Sequence, residues 1–245
     1  MTNIKLTIEY HGLPYCGWQY QKNEKTVQGE IEKAIFKFSG EKKTIQGAGR
    51  TDAGVHALAQ CAKFELEKKF DEYQILNGIN FHLGTEKIRI TKVENVDQEF
   101  NARFTAKSKT YNYQVFNSQA PSVIEDDFSI HIRQPLDIDS MQNAVKLFLG
   151  KHDFSSFRAQ GCQANKPHRT IDDASIEVKG KKIIFIFKAQ SFLYQQIRIM
   201  VGSLLEVGLK NKNINWIKEL IEVKDRSLAG PTVPSKGLIL KEISY

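Results

Sequence analysis

The residues best suited to chemistry lie in one glycine-rich stretch, residues 47–57 (GAGRTDAGVHA). Three glycines within eight residues predict tight turns or a close approach of the backbone to a ligand. Among them stand a cation, Arg50, a hydroxyl, Thr51, and a single carboxylate, Asp52. A loop on a rigid scaffold could hold that carboxylate at its tip for catalysis. The same pattern is also typical of a simple hairpin in which Asp52 caps a turn.

The stretch does not fit a dinucleotide-binding fingerprint. Asp52 stands where the third glycine belongs, and no helical pattern follows it. The flanking segments, Thr44 to Ala48 and Ala57 to Phe64, have apolar patterns that predict two strands. We therefore do not expect this loop to bind a pyrophosphate.

The composition is that of a globular protein with an excess of positive charge. The 245 residues include 35 Lys and Arg against 28 Asp and Glu, and the formal net charge of +7 favours polyanionic partners. The sequence has no Cys-x-x-Cys pair among Cys16, Cys61 and Cys162, so we expect neither a disulfide framework nor a zinc site. We expect a cytoplasmic location, where thiols stay reduced. We also expect no signal peptide and no membrane-spanning segment, because no apolar run is long enough.

Strand and helix patterns alternate along the first part of the chain in the order β-α-β-β-α-β, which is the ferredoxin-like arrangement. Thr26 and Asp71 are suited to cap the two helices, and Gly40 is suited to end the first. The predicted elements are Asn3 to Tyr10, a helix from Val27 to Phe38, Thr44 to Ala48, Ala57 to Leu66, a helix after Asp71, and Lys87 to Val96.

The second part repeats this order without repeating the sequence. Its predicted elements are Lys109 to Phe116, Asp139 to Leu149, Thr170 to Val178, Lys182 to Ala189, Tyr194 to Leu209, Ile214 to Val223 and Leu238 to Ile243. We therefore predict an α+β fold of two tandem ferredoxin-like βαββαβ halves, residues 1–105 and 106–245. The halves are expected to form a joined, mostly antiparallel sheet with helices on one side and a basic RNA-binding cleft.

Cations recur in loops beside aromatic or glycine residues. RNA-binding proteins combine cations that contact phosphates with aromatic rings that stack on bases, although an exposed cation is often only a solvated charge. The cations concerned are Arg103, Lys107, Arg158, Lys166 and Arg169. Tyr111 and Tyr113 share one face of a predicted strand, which is also typical of ordinary packing.

Arg198 lies near the apolar stripe of the predicted helix from Tyr194 to Leu209. Because a buried, unpaired cation is costly, we expect it to have a carboxylate partner, and Asp52 is a candidate. Alternatively, its long side chain could reach water from the edge of the helix.

Together these motifs resemble the tRNA pseudouridine synthase A family. The stretch 49–57 (GRTDAGVHA) matches the family's central signature, and further blocks match in order over nearly the whole chain. These blocks are 15–19 (YCGWQ), 26–28 (TVQ), 100–104 (FNARF), 109–113 (KTYNY), 152–157 (HDFSSF), 169–171 (RTI), 192–194 (FLY), 197–198 (IR), 201–202 (VG) and 236–240 (KGLIL).

The resemblance implies a role for four residues. Asp52 falls on the family's catalytic aspartate, the nucleophile, although removal of a sugar proton is the other mechanism open to it. Tyr111 falls on the tyrosine that contacts the target base and could help to move a proton. Arg198 falls on the arginine that pairs with the catalytic carboxylate, and Arg50 on the arginine that helps to hold the nucleotide out of the helix.

The resemblance also implies the substrate and the assembly. The family isomerises uridine to pseudouridine in the anticodon stem-loop of tRNA, at positions 38, 39 and 40, usually as a homodimer. Because the reaction is an isomerisation, we expect no cofactor and no metal. The expected partners are tRNA and a second copy of the chain. The tRNA would be bound by Tyr111, Arg50 and the five loop cations: Arg103, Lys107, Arg158, Lys166 and Arg169.

Some positions depart from the family pattern. Gln195, Gln196, Ile199 and Met200 differ from the residues usual around Arg198, and His168 stands where a small aliphatic residue is common. These departures leave the catalytic residues intact and concern which uridines are accepted. The alternatives are a tRNA-binding or folding protein without catalysis, a pair of RNA-recognition modules, whose glycine-aromatic signature is missing, and a synthase with a shifted target in tRNA.

Overall fold

In a computed structural model, which describes residues 1–245, the internal contacts divide the chain into two units. The first unit comprises Met1–Lys107 and Ile239–Tyr245, and the second comprises Ser108–Leu238. The strands are β1 (Thr2–Tyr10), β2 (Gln46–Gly47), β3 (His56–Leu66), β4 (Ile88–Asn95), β5 (Ser108–Asn117), β6 (Ile130–Ile132), β7 (Gly150–Asp153), β8 (His168–Lys179), β9 (Lys182–Ala189) and β10 (Leu238–Ser244). The α-helices are α1 (Val27–Ser39), α2 (Glu72–Leu83), α3 (Ile138–Val145), α4 (Gln196–Gly208) and α5 (Asn215–Val223).

The first unit has the ferredoxin-like strand order β4-β1-β3-β2, in which every neighbouring pair is antiparallel. Its alternating sequence makes β1 bury Ile4, Leu6 and Ile8 completely, as its period of two predicts. The helices α1 and α2 contact each other, and α2 contacts β4. The α+β class and the β-α-β-β-α-β order of elements predicted from the sequence are therefore confirmed in this unit.

The helix ends of the first unit follow their local chemistry. The hydroxyl of Thr26 accepts a hydrogen bond from the backbone of Gly29 at 3.2 Å and caps α1. Asp71 and Gln74 form a complete capping box at the start of α2. Gly40 ends α1 with a φ of 77°, a left-handed conformation that glycine adopts without strain. The three signals read from the sequence are confirmed.

The closing strand β10 clusters with the first unit. Ile239 and Leu240 pair in parallel with His56 and Ala57 of β3. The same strand β3 also pairs with β2 further along, where Gln46 lies opposite Lys63. The start of β3, directly after the glycine-rich loop, is therefore hydrogen-bonded to the end of the chain.

The second unit is built on the antiparallel strands β5, β9, β8 and β7, in that order, with the short β6 parallel to β5. The helix predicted from Asp139 to Leu149 is shorter, since α3 ends at Val145 and a 3-10 turn continues to Phe148. The helix predicted from Tyr194 begins at Gln196, because Gln195 has a φ of 58° that a right-handed helix cannot contain. No helix in the chain is long and apolar enough to cross a bilayer.

Candidate active site

The residues between β2 and β3 form the loop that the sequence singled out, named here the Asp52 loop (residues 48–55). Its first half is held to β3 by two hydrogen bonds. The backbone N–H of Ala48 donates to the Cys61 carbonyl at 2.8 Å, and the Gln60 side-chain amide donates to the Gly49 carbonyl at 3.0 Å. The loop therefore leaves the sheet from a fixed starting point.

Asp52 lies at the turn of this loop and is half-buried. Its carbonyl accepts a hydrogen bond from the backbone N–H of Val55 at 3.2 Å, which closes the turn before β3 begins. Arg50 is exposed, and its Nε donates to the side-chain oxygen of Gln19 at 3.0 Å. A half-buried carboxylate and an exposed guanidinium thus belong to one loop whose backbone is fixed.

Thr51 anchors the loop to the end of β1. Only 7% of Thr51 is exposed, and its hydroxyl lies 2.8 Å from the hydroxyl of Tyr10 at the end of β1. The Thr51 carbonyl accepts a hydrogen bond from the backbone N–H of Trp18 at 3.1 Å. Burial raises the pKa of Tyr10, so this hydroxyl stays protonated throughout the physiological pH range. Both neighbours of Thr51 in the loop, Arg50 and Asp52, are therefore attached to a fixed residue.

Two glycines outside the loop allow the backbone to approach it closely. An alanine Cβ at Gly12 would overlap the carbonyl of Val55. Gly17 has a φ of 85°, and an added Cβ would lie 2.7 Å from the Thr51 carbonyl oxygen and 3.2 Å from the carbonyl carbon of Asp52. The segment after β1 thus packs closely against the Asp52 loop, which only residues without a side chain permit.

His56 supports the loop at its far end. It is buried, and its Nδ1 accepts a hydrogen bond from the backbone N–H of Gly12 at 3.1 Å. Because Nδ1 is an acceptor, His56 is assigned as the neutral tautomer that carries its proton on Nε2. Its ring meets the ring of His11 edge to face, with centroids 4.7 Å apart.

Tyr111 and Tyr113 lie on β5 in the second unit, and the structure separates their roles. Tyr113 is fully buried, and its hydroxyl donates to the Pro234 carbonyl at 2.8 Å, so ordinary packing accounts for it. Tyr111 retains 9% exposure, and its ring meets that of Phe192 edge to face at 5.4 Å. The ring of Tyr111 is therefore held in one orientation at the boundary of the core.

Arg198 lies on α4 and is half-buried. Its Nε donates to the Val233 carbonyl at 2.7 Å, and its own carbonyl accepts from the backbone N–H of Val233 at 3.4 Å. The guanidinium is thus fixed to a backbone segment that follows α5. The Val233 carbonyl, a partner that the sequence did not suggest, thus orients the Arg198 side chain.

Three of the five loop cations cluster in the second unit. One Nη of Arg169 donates to the carbonyls of Lys166 and His168, at 3.0 and 2.7 Å, and Arg158 donates to the carbonyl of Ala164 at 3.3 Å. Burial lowers the pKa of Arg169, and the nearby charge of Arg158 lowers it further. Two arginines that hydrogen-bond to neutral carbonyls and lie close together form a local excess of positive charge.

The two remaining cations belong to the first unit. Arg103 is exposed and its guanidinium lies over the ring of Phe104, 5.4 Å from the centroid. Lys107 is exposed and donates to the carbonyl of Tyr245 at 3.1 Å. Neither residue forms an ion pair with a carboxylate side chain.

Comparison with known proteins decides the family. A family model described as tRNA pseudouridine synthase matches residues 6–105 and 144–245. The chain belongs to this family. Proteins named tRNA pseudouridine synthase A are similar to it along their whole length. The one from Ehrlichia canis (strain Jake) is 46% identical over 242 residues, 98% of this chain and 99% of the relative, and the one from Acetivibrio thermocellus is 44% identical over 245 residues, all of both chains.

The predicted identity as a pseudouridine synthase, and therefore as an isomerase, is confirmed by these similarities. The match to the family model includes the Asp52 loop and Arg198. Tyr111 lies between its two matched ranges. No group of three or more His, Cys, Asp or Glu side chains is arranged to bind a metal ion.

The structure distributes the predicted site residues over both units. Asp52 and Arg50 lie on one loop of the first unit, whereas Tyr111 and Arg198 belong to the second. The ion pair between Asp52 and Arg198 therefore stays a prediction. Sequence reasoning missed Tyr10, which supports Thr51 from 41 residues away, because nothing local links the two positions.

Proposed function

We propose that this synthase converts uridine to pseudouridine in the anticodon stem-loop of tRNA, with Asp52 as its catalytic carboxylate. The observation that carries the proposal is the Asp52 loop itself. A half-buried carboxylate is attached to a buried threonine and enclosed by close backbone contacts, within a chain that aligns end to end with tRNA pseudouridine synthases.

The reaction breaks one bond to the base and makes another. The N1–C1′ bond of uridine is cleaved, the uracil turns, C5 bonds to C1′, and the proton on C5 is finally lost while N1 gains one. Asp52 either attacks as a nucleophile or removes a sugar proton to give a glycal-like intermediate. A carboxylate can serve in both roles, provided that its position is fixed relative to the sugar.

The target base has to leave the stack before the carboxylate can reach it, which costs a few kcal/mol. We assign Arg50 to the space that the extruded nucleotide vacates, since Arg50 is exposed on the same loop as Asp52. We assign Tyr111 to contact with the extruded uracil and to assistance in moving the C5 proton. The fixed orientation of its ring against Phe192 suits a surface on which a base stacks.

We assign Arg198 to the catalytic carboxylate as its ion-pair partner in the working enzyme. Such a pair would keep the aspartate ionised and aimed at the substrate. The hydrogen bond from Nε of Arg198 to the Val233 carbonyl supports this role, because it limits the directions that the rest of the guanidinium can take.

The tRNA backbone is bound through cations in this proposal. Arg158 and Arg169, with Lys166 beside them, supply charge that no neighbouring carboxylate neutralises. Arg103 and Lys107 add two exposed cations in the first unit. Each phosphate contact would make tRNA binding weaker as salt rises. We further propose, from the family resemblance, a cytoplasmic location and a homodimer. Light scattering of the purified protein would test the homodimer.

The decisive experiment uses a tRNA transcript without modifications. It is incubated with wild-type protein, with Asp52→Asn, which keeps the shape and removes the charge, and with Asp97→Asn as a control at an exposed aspartate of the same unit. Pseudouridine is then mapped position by position by carbodiimide labelling and primer extension.

We expect signal in the anticodon stem-loop with wild type and Asp97→Asn, and none with Asp52→Asn. Full activity of Asp52→Asn would refute the assignment of the catalytic residue. Signal elsewhere in the tRNA would indicate a shifted target, and tight tRNA binding without any signal would indicate a non-catalytic binder.

A further inference from the structure

A short segment after α5, residues 229–234, packs along one side of α4. The backbones touch where the helix has Gly202 and the segment has Gly230. An alanine Cβ at Gly202 would overlap the Pro231 carbonyl oxygen, and one at Gly230 would lie 2.6 Å from the backbone nitrogen of Ser203. The spacing between α4 and this segment is therefore fixed by backbone contact.

Ser203 joins the same two elements by hydrogen bonds. Its hydroxyl accepts from the backbone N–H of Gly230 at 3.0 Å and donates to the carbonyl of Ile199 at 3.0 Å. The buried Tyr113 holds the end of the segment through the Pro234 carbonyl. The 229–234 segment is therefore attached at its second residue and at its last.

Arg226 holds the beginning of the segment. One Nη of its guanidinium donates to the carbonyls of Ala229 and Gly230, at 3.4 and 3.1 Å, and the other donates to the Thr232 hydroxyl at 3.0 Å. Burial lowers the pKa of Arg226, and no ion pair with a carboxylate compensates for it. A cation is thus kept half-buried among neutral acceptors that all belong to one turn.

That turn positions the carbonyl group to which Arg198 donates. The residue after Thr232 is Val233, whose carbonyl receives the Nε hydrogen bond of Arg198 at 2.7 Å. If the turn relaxed, the Val233 carbonyl would move and the Arg198 guanidinium would follow it. Arg226 and Arg198 are thereby connected through one short piece of backbone.

We propose that Arg226 is a positioning residue, which orients the Arg198 guanidinium for catalysis by fixing the 229–234 segment. This inference rests on the proposed function of Arg198. It assigns to Arg226 no contact with tRNA, so its loss is expected to lower the rate of the chemical step and to leave tRNA binding unchanged.

The test is a double-mutant cycle in single-turnover pseudouridine formation on an unmodified tRNA transcript. Rate constants and tRNA Kd values are measured for wild type, Arg226→Gln, Arg198→Lys and the double variant. Arg89→Gln is the matched control, because the Arg89 guanidinium likewise makes three hydrogen bonds to neutral acceptors, the carbonyls of Gly84, Glu86 and Ile88, but lies in the first unit.

We expect Arg226→Gln to lower the single-turnover rate constant about 10- to 100-fold, with Kd for tRNA within about twofold of wild type. The double variant should be no slower than Arg198→Lys, because both changes act on the same guanidinium. Arg89→Gln should react like wild type.

A wild-type rate for Arg226→Gln, or effects of the two substitutions that multiply in the double variant, would overturn the proposal. If circular dichroism shows that Arg226→Gln does not fold, Ser203→Ala, which loosens the same segment, takes its place in the cycle under the same criteria. Failure of the proposed function is a separate outcome, because the wild-type protein would then form no pseudouridine.

Discussion

Replacing Gly17 with alanine would test whether backbone contact positions the Asp52 loop. Two costs add at this position. The φ of 85° lies in the left-handed region, where a Cβ costs about 1–2 kcal/mol. The new Cβ would also lie 2.7 Å from the Thr51 carbonyl oxygen, closer than real Cβ atoms come to other atoms, so the loop has to move by a few tenths of an ångström.

The expected magnitudes follow from these two costs. Overpacking against backbone adds about 1–3 kcal/mol, so the free energy of unfolding should fall by about 2–5 kcal/mol in total. A displacement of 1 Å in an active site can lower the rate about 10²-fold, so a few tenths of an ångström should lower kcat roughly 3- to 10-fold.

The assay combines urea unfolding with release of tritium from C5 of uridine in labelled tRNA, which accompanies formation of the new C–C bond. Gly161→Ala is the matched control, because Gly161 has a φ of 79° and no atom within 4 Å of an added Cβ. It should lose about 1–2 kcal/mol of stability and no activity. The reasoning would be refuted by Gly17→Ala with the kcat of wild type, or by equal losses of stability in the two variants.

Three further perturbations have defined outcomes. Tyr10→Phe removes the hydrogen bond to the buried Thr51 hydroxyl and should lower the free energy of unfolding by about 1–2 kcal/mol, measured by urea titration; an unchanged midpoint would contradict the anchoring role. Although burial raises the pKa of Glu41, two backbone N–H groups and the Lys43 ammonium hold it at about 2. Because this folded-state pKa is below the ordinary value, the stabilisation is present above about pH 4.5 and is lost as pH falls towards 2, so Glu41→Gln should flatten the loss of thermal stability between pH 5 and 2. Arg169→Gln should weaken tRNA binding and reduce the slope of log Kd against log salt by about 1, and an unchanged slope would remove Arg169 from the phosphate contacts.

Local sequence determines the helix ends of the first unit and the buried face of β1. The caps of Thr26 and Asp71 and the end of α1 at Gly40 each depend on neighbours within four residues, so the sequence alone predicted them. The period of two in β1 likewise marks the buried face without knowledge of its partners. The family signature in residues 49–57 allowed the reaction to be predicted, because those residues are contiguous.

Tertiary structure decided what holds the predicted site residues. Tyr10 reaches Thr51 across 41 residues, and Arg198 bonds to a carbonyl 35 residues further on. The left-handed Gln195 delays the start of α4, although the apolar pattern had extended the helix to Tyr194. Such contacts follow from which segments pack together. Periodicity and capping describe only the chain near each residue, so the amino-acid sequence indicates Asp52 while the fold alone supplies its supports.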